Sequence, residues 1–448
     1  MYSPAHRIIV TSLFIIVLFS PLAMVWPVAA ERAVGPTWDR TYLDVVPGTS
    51  FVEQTRDGGF IISAFSRGGW VMKANAAGLP EWQKEYSAGG GTSSVEQTSE
   101  GGFMVIASDQ LLKLDHLGNV VWSKTYGRAN TFFSGRQTSD GGYIMAGNTQ
   151  SFGDPYDTSN GWVVRLNGQG GMLWQEVFAA QDVYSIDETG DGSFLVAGAV
   201  GLPDGQAGFW VAELGAKGSV AWQKAYDFPQ ISSDSPNLVL YGLVRQATDG
   251  GIIAAARVSA GFVGVTLILK LDPLGNIVWQ KSYNGGGLAE PYSVSEMSDG
   301  GFIVAGRFLP AYSNAFPFPL VGLSGPFLLR LDANGDMLWQ KIYGGANDFL
   351  LRVQATRDGG IIAVGSKVGG FPSCCELAWA LKLDSDGNLR GCPVGVLSNA
   401  TLADTSTVVA STTIVSVNTN ATPTPTDVTV TTPTFPSQDL CSAGTKTR

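Results

Sequence analysis

The chain has 448 residues, 57 of them Gly, with 44% hydrophobic and only 15% charged residues, and a net charge of −10. Many glycines and few charges suit tightly turned β-structure better than long surface helices, and the acidic balance makes a phosphate backbone a poor partner, arguing against nucleic acid. The two histidines are His6, in the N-terminal segment, and His116, in a predicted hairpin turn; with His116 alone beyond that segment and in a turn, Ser-His-Asp triads and multi-histidine metal sites are not expected.

Residues 1–30 read as an export signal: His6 and Arg7, an apolar run over 8–26, and the small residues Val28, Ala29 and Ala30 before a cleavage point. The rival is an uncleaved anchor, since about 19 apolar residues span a bilayer. Cleavage would leave 27 Lys+Arg against 38 Asp+Glu, and one histidine, His116, in a predicted hairpin turn. The expectation is a secreted or cell-surface monomer that does not insert in a membrane once the signal is removed.

Two phrases then recur seven times in fixed order. The first holds Asp-Gly-Gly or a close variant, in TRDGGF at Thr55, TSEGGF at Thr98, TSDGGY at Thr138, TGDGSF at Thr189, ATDGGI at Ala247, MSDGGF at Met297 and TRDGGI at Thr356. The second is Asp-x-x-Gly, led by Asn75, Asp115, Asn167, Gly215, Asp272, Asp332 and Asp384. Trp follows seven residues later at 82, 122, 174, 222, 279 and 339, whereas the last repeat has Gly391 there. Glycine supplies positive φ and Asp or Asn bonds its own backbone two residues on, as tight hairpins require. Each repeat therefore gives two hairpins, or four short strands, in roughly 40 to 60 residues, a propeller-blade length.

The chain opens with Trp38, Asp39, Arg40, Thr41 and Tyr42, matching the fourth strand that the last repeat lacks. The expected fold is all-β: a closed seven-bladed β-propeller of four-stranded antiparallel blades over residues 31–392, its ring closed by the N-terminal strand, which also removes open sheet edges. The repeated Trp residues are expected in the core between blades.

The repeats resemble those of uncharacterised secreted bacterial and archaeal β-propeller proteins carrying W-x-K-x-Y-G-G and Q-T-x-D-G-G-[FY] phrases. The resemblance covers about residues 38–392 and implies the architecture without an activity. The D-x-x-G-x-x-x-W turn is also similar to the Asp-box of sialidase-type propellers, one residue out of spacing, and that motif is structural.

With the QT strand innermost, both short turns fall on one face and the long, varied links on the other, where binding sites usually sit. That rim is expected to carry Tyr156, Tyr292, Tyr312, Phe316, Phe318 and Phe371, with Asp154, Asp157 and Glu290. Aromatic platforms beside carboxylates suit sugars; the plainer alternative is that they pack the loops together. Carboxylate-pair hydrolysis would draw on Asp154, Asp157, Glu290, Asp348 and Glu376. No cofactor is implied, though calcium is conceivable at DANGD (332–336), DSDGN (384–388) and DETGDGS (187–193), none of which completes an EF-hand loop.

Four cysteines allow three pairings. Cys392–Cys441 is the expected disulfide, leaving Cys374 and Cys375 as a vicinal pair or free thiols. The tail, 393–448, is rich in Thr, Ser and Pro and suits an extended stalk. A strand or two packed on the propeller is its alternative. The expected function is a binding module for an extracellular polysaccharide. A carbohydrate-active hydrolase or lyase and a protein-binding scaffold are the rivals, with a quinone-dependent dehydrogenase further behind.

Overall fold

Seven antiparallel blades are each built from an inner, second, third and outer strand in chain order. Blade 1 runs from Thr49–Gln54 to Pro80–Tyr86, blade 2 from Thr92–Gln97 to Val120–Tyr126 and blade 3 from Asn130–Gln137 to Met172–Phe178. Blade 4 runs from Gln181–Glu188 to Val220–Asp227, blade 5 from Leu238–Gln246 to Ile277–Asn284 and blade 6 from Gly287–Glu296 to Met337–Tyr343. Blade 7 has three strands of its own, Phe349–Ala355, Ile361–Val368 and Glu376–Leu383, and takes Trp38–Tyr42 as its outer strand, with Trp38 opposite Lys382 and Tyr42 opposite Ala378. The chain is thus a seven-bladed β-propeller with the expected closure. This computed structural model describes residues 35–42, 49–64, 69–87, 91–127, 130–150, 160–178, 181–202, 205, 207–227, 238–260, 263–284, 287–310, 324–368 and 376–391, and seven short segments between 395 and 439. The signal segment and all four cysteines lie outside the described residues.

The Asp-Gly-Gly phrase is a five-residue turn. The Thr55 amide donates to the Gly59 carbonyl and the Gly58 amide to the Thr55 carbonyl, both at 2.9 Å. Asp57 Oδ1 accepts from the Thr55 hydroxyl and the Gly59 amide. Its carboxylate also pairs with Lys73 of the third strand. The same strut recurs as Lys113–Glu100, Arg165–Asp140, Lys270–Asp249, Arg330–Asp299 and Lys382–Asp358. The hydrogen bond from Lys113 leads the influences that hold the Glu100 carboxyl at about 2.

The second phrase explains the tryptophans. Asp115 Oδ1 accepts the amides of Leu117 and Asn119 and so folds a turn with Gly118 at φ +75°. Over that glycine lies Trp82 of the preceding blade; a Cβ added to Gly118 would meet its ring at 2.9 Å. Tyr86 donates its hydroxyl to the Gly118 carbonyl at 2.7 Å, and Lys84 reaches Asn119. The ring-on-glycine contact recurs at all seven junctions: Trp38 on Gly78, Trp122 on Gly170, Trp174 on Gly218, Trp222 on Gly275, Trp279 on Gly335 and Trp339 on Gly387 complete the set. W-x-K-x-Y is therefore a clamp on the turn of the next blade. Its Trp is half-buried in six blades, more exposed than a core residue, and buried only at Trp38. The core proper forms seven apolar wedges. One of them joins Trp38, Ile362 and Ala380 of blade 7 to Phe60, Trp70 and Met72 of blade 1.

The tail departs from the stalk expectation. It retraces the ring, adding one antiparallel strand to the outer edge of every blade. Gly395–Leu397 joins blade 6, Thr401–Asp404 blade 5, Val408–Ala410 blade 4, Ser416–Val417 blade 3, Pro423–Pro425 blade 2 and Val430–Thr431 blade 1. Ser437–Asp439 finally pairs with the N-terminal strand, Arg40 facing Asp439. These strands begin six to eight residues apart, so one blade-to-blade step takes about seven residues. Thr and Ser tolerate such extended backbone, and proline is admitted at a sheet edge.

Two outcomes are expected. Gly118→Ala forces both a positive φ and a collision with Trp82, whereas Gly58→Ala, at φ +85° with nothing within 4 Å, forces only the φ. In chemical denaturation Gly118→Ala should cost at least ~1 kcal/mol more than Gly58→Ala; equal losses would show that the Trp-on-turn contact yields freely. A chain ended at Gly391 leaves seven outer edges bare and should self-associate in analytical ultracentrifugation where the full chain does not.

Candidate functional site

The innermost strands touch their neighbours around the ring and line its channel. On one face of the ring every hairpin link has five residues, whereas on the other the links within blades range from two (108–109) to 14 (311–324) and those between blades from two to ten (228–237). The expected asymmetry of the two faces therefore stands in the fold.

Gln of the QT phrase staples blades together. Gln97 accepts the amide of Arg56 in the preceding blade at 2.8 Å. Gln137, Glu188, Gln246 and Glu296 do the same for the preceding blade's turn, taking the amides of Ser99, Ser139, Gly190 and Thr248, and Gln54 takes that of Arg357 to close the ring. Only blade 7, with Ala355 at this position, lacks the staple.

One residue earlier stands a second ring: Glu53, Glu96, Arg136, Asp187, Arg245, Ser295 and Gln354. Where this residue can accept, it takes the backbone amide of the following blade. Glu53 accepts from Gln97 at 2.6 Å, Glu96 from Gln137, Asp187 from Gln246, Ser295 from Ala355 and Gln354 from Gln54. Arg136 and Arg245 cannot, and both turn instead to the Asp187 carboxylate between them. Arg136 also lies 3.7 Å from Glu96. Burial, reinforced by Glu96, pushes the Glu53 carboxyl up to about 8 against the pull of the Gln97 amide, Arg136 and Arg357. Burial also raises Glu96, with Arg136 opposing.

Each inner strand carries a register shift in its first half. Such bulges re-aim a side chain. In blades 3 and 4 they bring the half-buried rings of Phe133 and Tyr184 side by side, 5.9 Å between centroids. The Tyr184 hydroxyl donates to Asp182 at 2.9 Å, and Asn148 donates to the other oxygen of that carboxylate. In blade 6 the bulge carries Tyr292, whose hydroxyl donates to Glu290.

Of the nine residues expected at the rim, Asp154, Tyr156, Asp157, Tyr312, Phe316, Phe318 and Phe371 lie outside the described residues. Glu290 is among the described residues: it is 6% exposed and ion-paired with Arg257 of blade 5. Asp348 is likewise consumed, accepting the amides of Gly345 and Val368, and the Glu376 side chain is outside the described residues. In the acidic turns considered for calcium, Asp332 and Asp384 spend Oδ1 on two amides of their own turn, and Asp187 holds arginines. Among the described residues no three His, Cys, Asp or Glu converge on a point. His116 sits exposed in the predicted turn.

Sequence reasoning missed the channel. The signal was there in the residue before each Gln, which changes from blade to blade while its neighbours repeat.

No family model and no curated protein matches the sequence. Similar solved structures include a protein of unknown function from Bacteroides caccae, at 14% identity, covering 68% of this chain and 93% of that one with a TM-score of 0.36. The WD40 domain of Neurospora crassa Pan2 shows 12% identity over 79% of this chain and 92% of that one, TM-score 0.44. A protein of unknown function from Dyadobacter fermentans DSM 18053 shows 11% over 77% and 98%, TM-score 0.42. Likeness this distant carries no argument about ligand or activity, and the seven-bladed architecture rests on the strand pairing.

Glu53 offers a direct test. A carboxyl whose folded value lies above its unfolded 4.5 contributes stability that is present below pH ~4.5 and lost as the pH rises towards 8. Gln354 already performs the amide-accepting role at the junction of blades 7 and 1, so Glu53→Gln should keep the staple. The variant should gain on the wild type by on the order of 2 kcal/mol between pH 5 and 8, read from denaturant midpoints at several pH values. Parallel pH profiles would show that Glu53 titrates normally.

Proposed function

We propose that the protein is a secreted, non-enzymatic binding module that takes an extracellular polysaccharide at the long-link end of its channel. The observation that carries this reading is the ring pair Phe133–Tyr184, raised on successive bulges beside the Asp182 carboxylate. A sugar stacks its apolar face on such rings while its hydroxyls bond the carboxylate and the Asn148 amide. The variable links on that face supply shape around the platform, as loops on a rigid scaffold do. Against catalysis stands the use to which the described carboxylates are put. Glu53, Glu96, Asp187, Glu290 and Asp348 each accept a backbone amide or pair with an arginine.

Affinity electrophoresis in gels cast with a panel of polysaccharides, with calcium and with chelator, tests the proposal. One or more polymers should retard the protein, and Phe133→Ala with Tyr184→Ala should weaken the retardation about tenfold or more. Retardation by none sinks the polysaccharide reading and directs attention to protein partners. Release of reducing ends that Glu53→Gln abolishes would overturn the non-enzymatic part.

A further inference from the structure

A cavity of about 210 Å³ opens among the inner strands, lined by Phe51, Glu53, Glu96, Arg136, Arg245 and Arg352, with Gln354 beside them. At about 30 Å³ per water it has room for an anion of several heavy atoms.

Three observations set the arginines apart. First, Arg136 and Arg245 stand where every other blade carries an acceptor for its neighbour's backbone amide. Neither can accept that amide; both donate across the blade boundary to Asp187 instead, which brings guanidinium groups to the channel. Local rules broken in an otherwise regular scaffold mark functional positions. Second, Arg352 occupies a position that is Ser94, Ser134, Ser185 and Ser293 in four other blades. Its guanidinium lies 5.0 Å from the centre of the Phe51 ring, and no carboxylate pairs with it among the described residues. Third, Gln354 spends its carbonyl oxygen on the Gln54 amide, which leaves its NH₂ group as a further donor at the cavity.

The carboxylates around the channel are engaged elsewhere and leave Arg352 without a carboxylate partner among the described residues. Glu53 and Glu96 each give an oxygen to a backbone amide of the next blade. Glu53, pushed up to about 8 by burial and by Glu96, holds its proton at neutral pH. Asp187 is shared between Arg136 and Arg245. Burial, together with the like charge of Arg245, lowers Arg352 to about 10, which still leaves it cationic. Three guanidinium groups thus line one cavity, Arg136 and Arg245 sharing Asp187 and Arg352 without a carboxylate partner among the described residues, in a protein whose net charge is −10.

We propose that this cavity is an oxyanion site, in which Arg352 and Arg245 hold a carboxylate or phosphate group and the Gln354 amide donates a further hydrogen bond. Planar guanidinium forks bond two oxygens of such a group at once. The Phe51 ring lies against the Arg352 guanidinium, its centroid 5.0 Å away. The site is separate from the aromatic platform and can be occupied whether or not a polysaccharide binds there.

Isothermal titration of the full chain at pH 7 and constant ionic strength, with inorganic phosphate in one arm and acetate in another, tests the site. Chloride serves as the common background. Saturable one-to-one binding of either anion is expected, and the arm that saturates tells phosphate from carboxylate. Arg352→Met should weaken it about tenfold or more, whereas Lys217→Met, in an exposed turn on the outer hairpin of blade 4, should leave it unchanged. Above pH 8, where Glu53 gives up its proton beside Glu96, Arg136 and Arg357, affinity should fall in the wild type but not in Glu53→Gln. Crystals soaked in selenate provide a readout independent of whether the Arg352 variant folds: an anomalous peak is expected between Arg352 and Arg245. No saturable heat in either arm, or saturation by phosphate with no peak in the channel, overturns the proposal.

Discussion

A tryptophan ring laid over the glycine of its neighbour's turn is the contact on which this molecule depends. A four-stranded blade has two apolar faces and cannot cover either by itself. The ring-on-glycine contact fixes how the next blade is set against it, because the turn admits no Cβ where Trp82 lies on Gly118. The tyrosine hydroxyl and the lysine of the same strand then bind that turn's backbone and Asn. Once the outer edge is registered in this way, the wedges of Phe, Ile, Val and Leu between blades close without further instruction. The inner edge is tied by the Gln staples.

This division explains what could be read from the sequence. Turns are local chemistry, so Asp-Gly-Gly and Asp-x-x-Gly declared themselves, and the displaced Trp38 strand announced the closure. The Trp residues were legible as inter-blade contacts, though not as half-exposed lids on turns, because their partner lies about 40 residues away. Bulges were not legible. A register shift belongs to a pair of strands, and nothing in FFSGRQT or VYSIDET marks Phe133 and Tyr184 as neighbours. The buried state of Glu290 was hidden for the same reason, since Arg257 sits in another blade. The tail was read as composition. Its even spacing, the part that matches the ring, becomes visible only once there is a ring to match.

The channel shows how a repeat scaffold acquires individuality. Gln at the position next to it is held nearly constant because it joins blades. The preceding residue needs only to accept one amide, a task that Glu, Asp, Ser and Gln all perform. That tolerance is what allows an arginine to enter at two blades for the loss of a single hydrogen bond each, about 1 kcal/mol, in a ring with many others. Charge can therefore be arranged around the channel without disturbing the clamps on the perimeter.

The returning tail changes the order in which the molecule can be made and unmade. Its strands add to outer edges that exist only after each blade has folded, and the last of them lies on the N-terminal strand. The first and last described strands thus share one sheet, and the seam of the ring is covered by the last of them. Assembly must run from blade to closure to hoop. Release of the N-terminal strand from the seam requires that its pairing with Ser437–Asp439 be broken as well as that with blade 7. Such a double attachment raises the barrier to unfolding more than it deepens the folded minimum. The hoop should therefore show itself as hysteresis, with the unfolding and refolding limbs separated in time, while the equilibrium stability changes little.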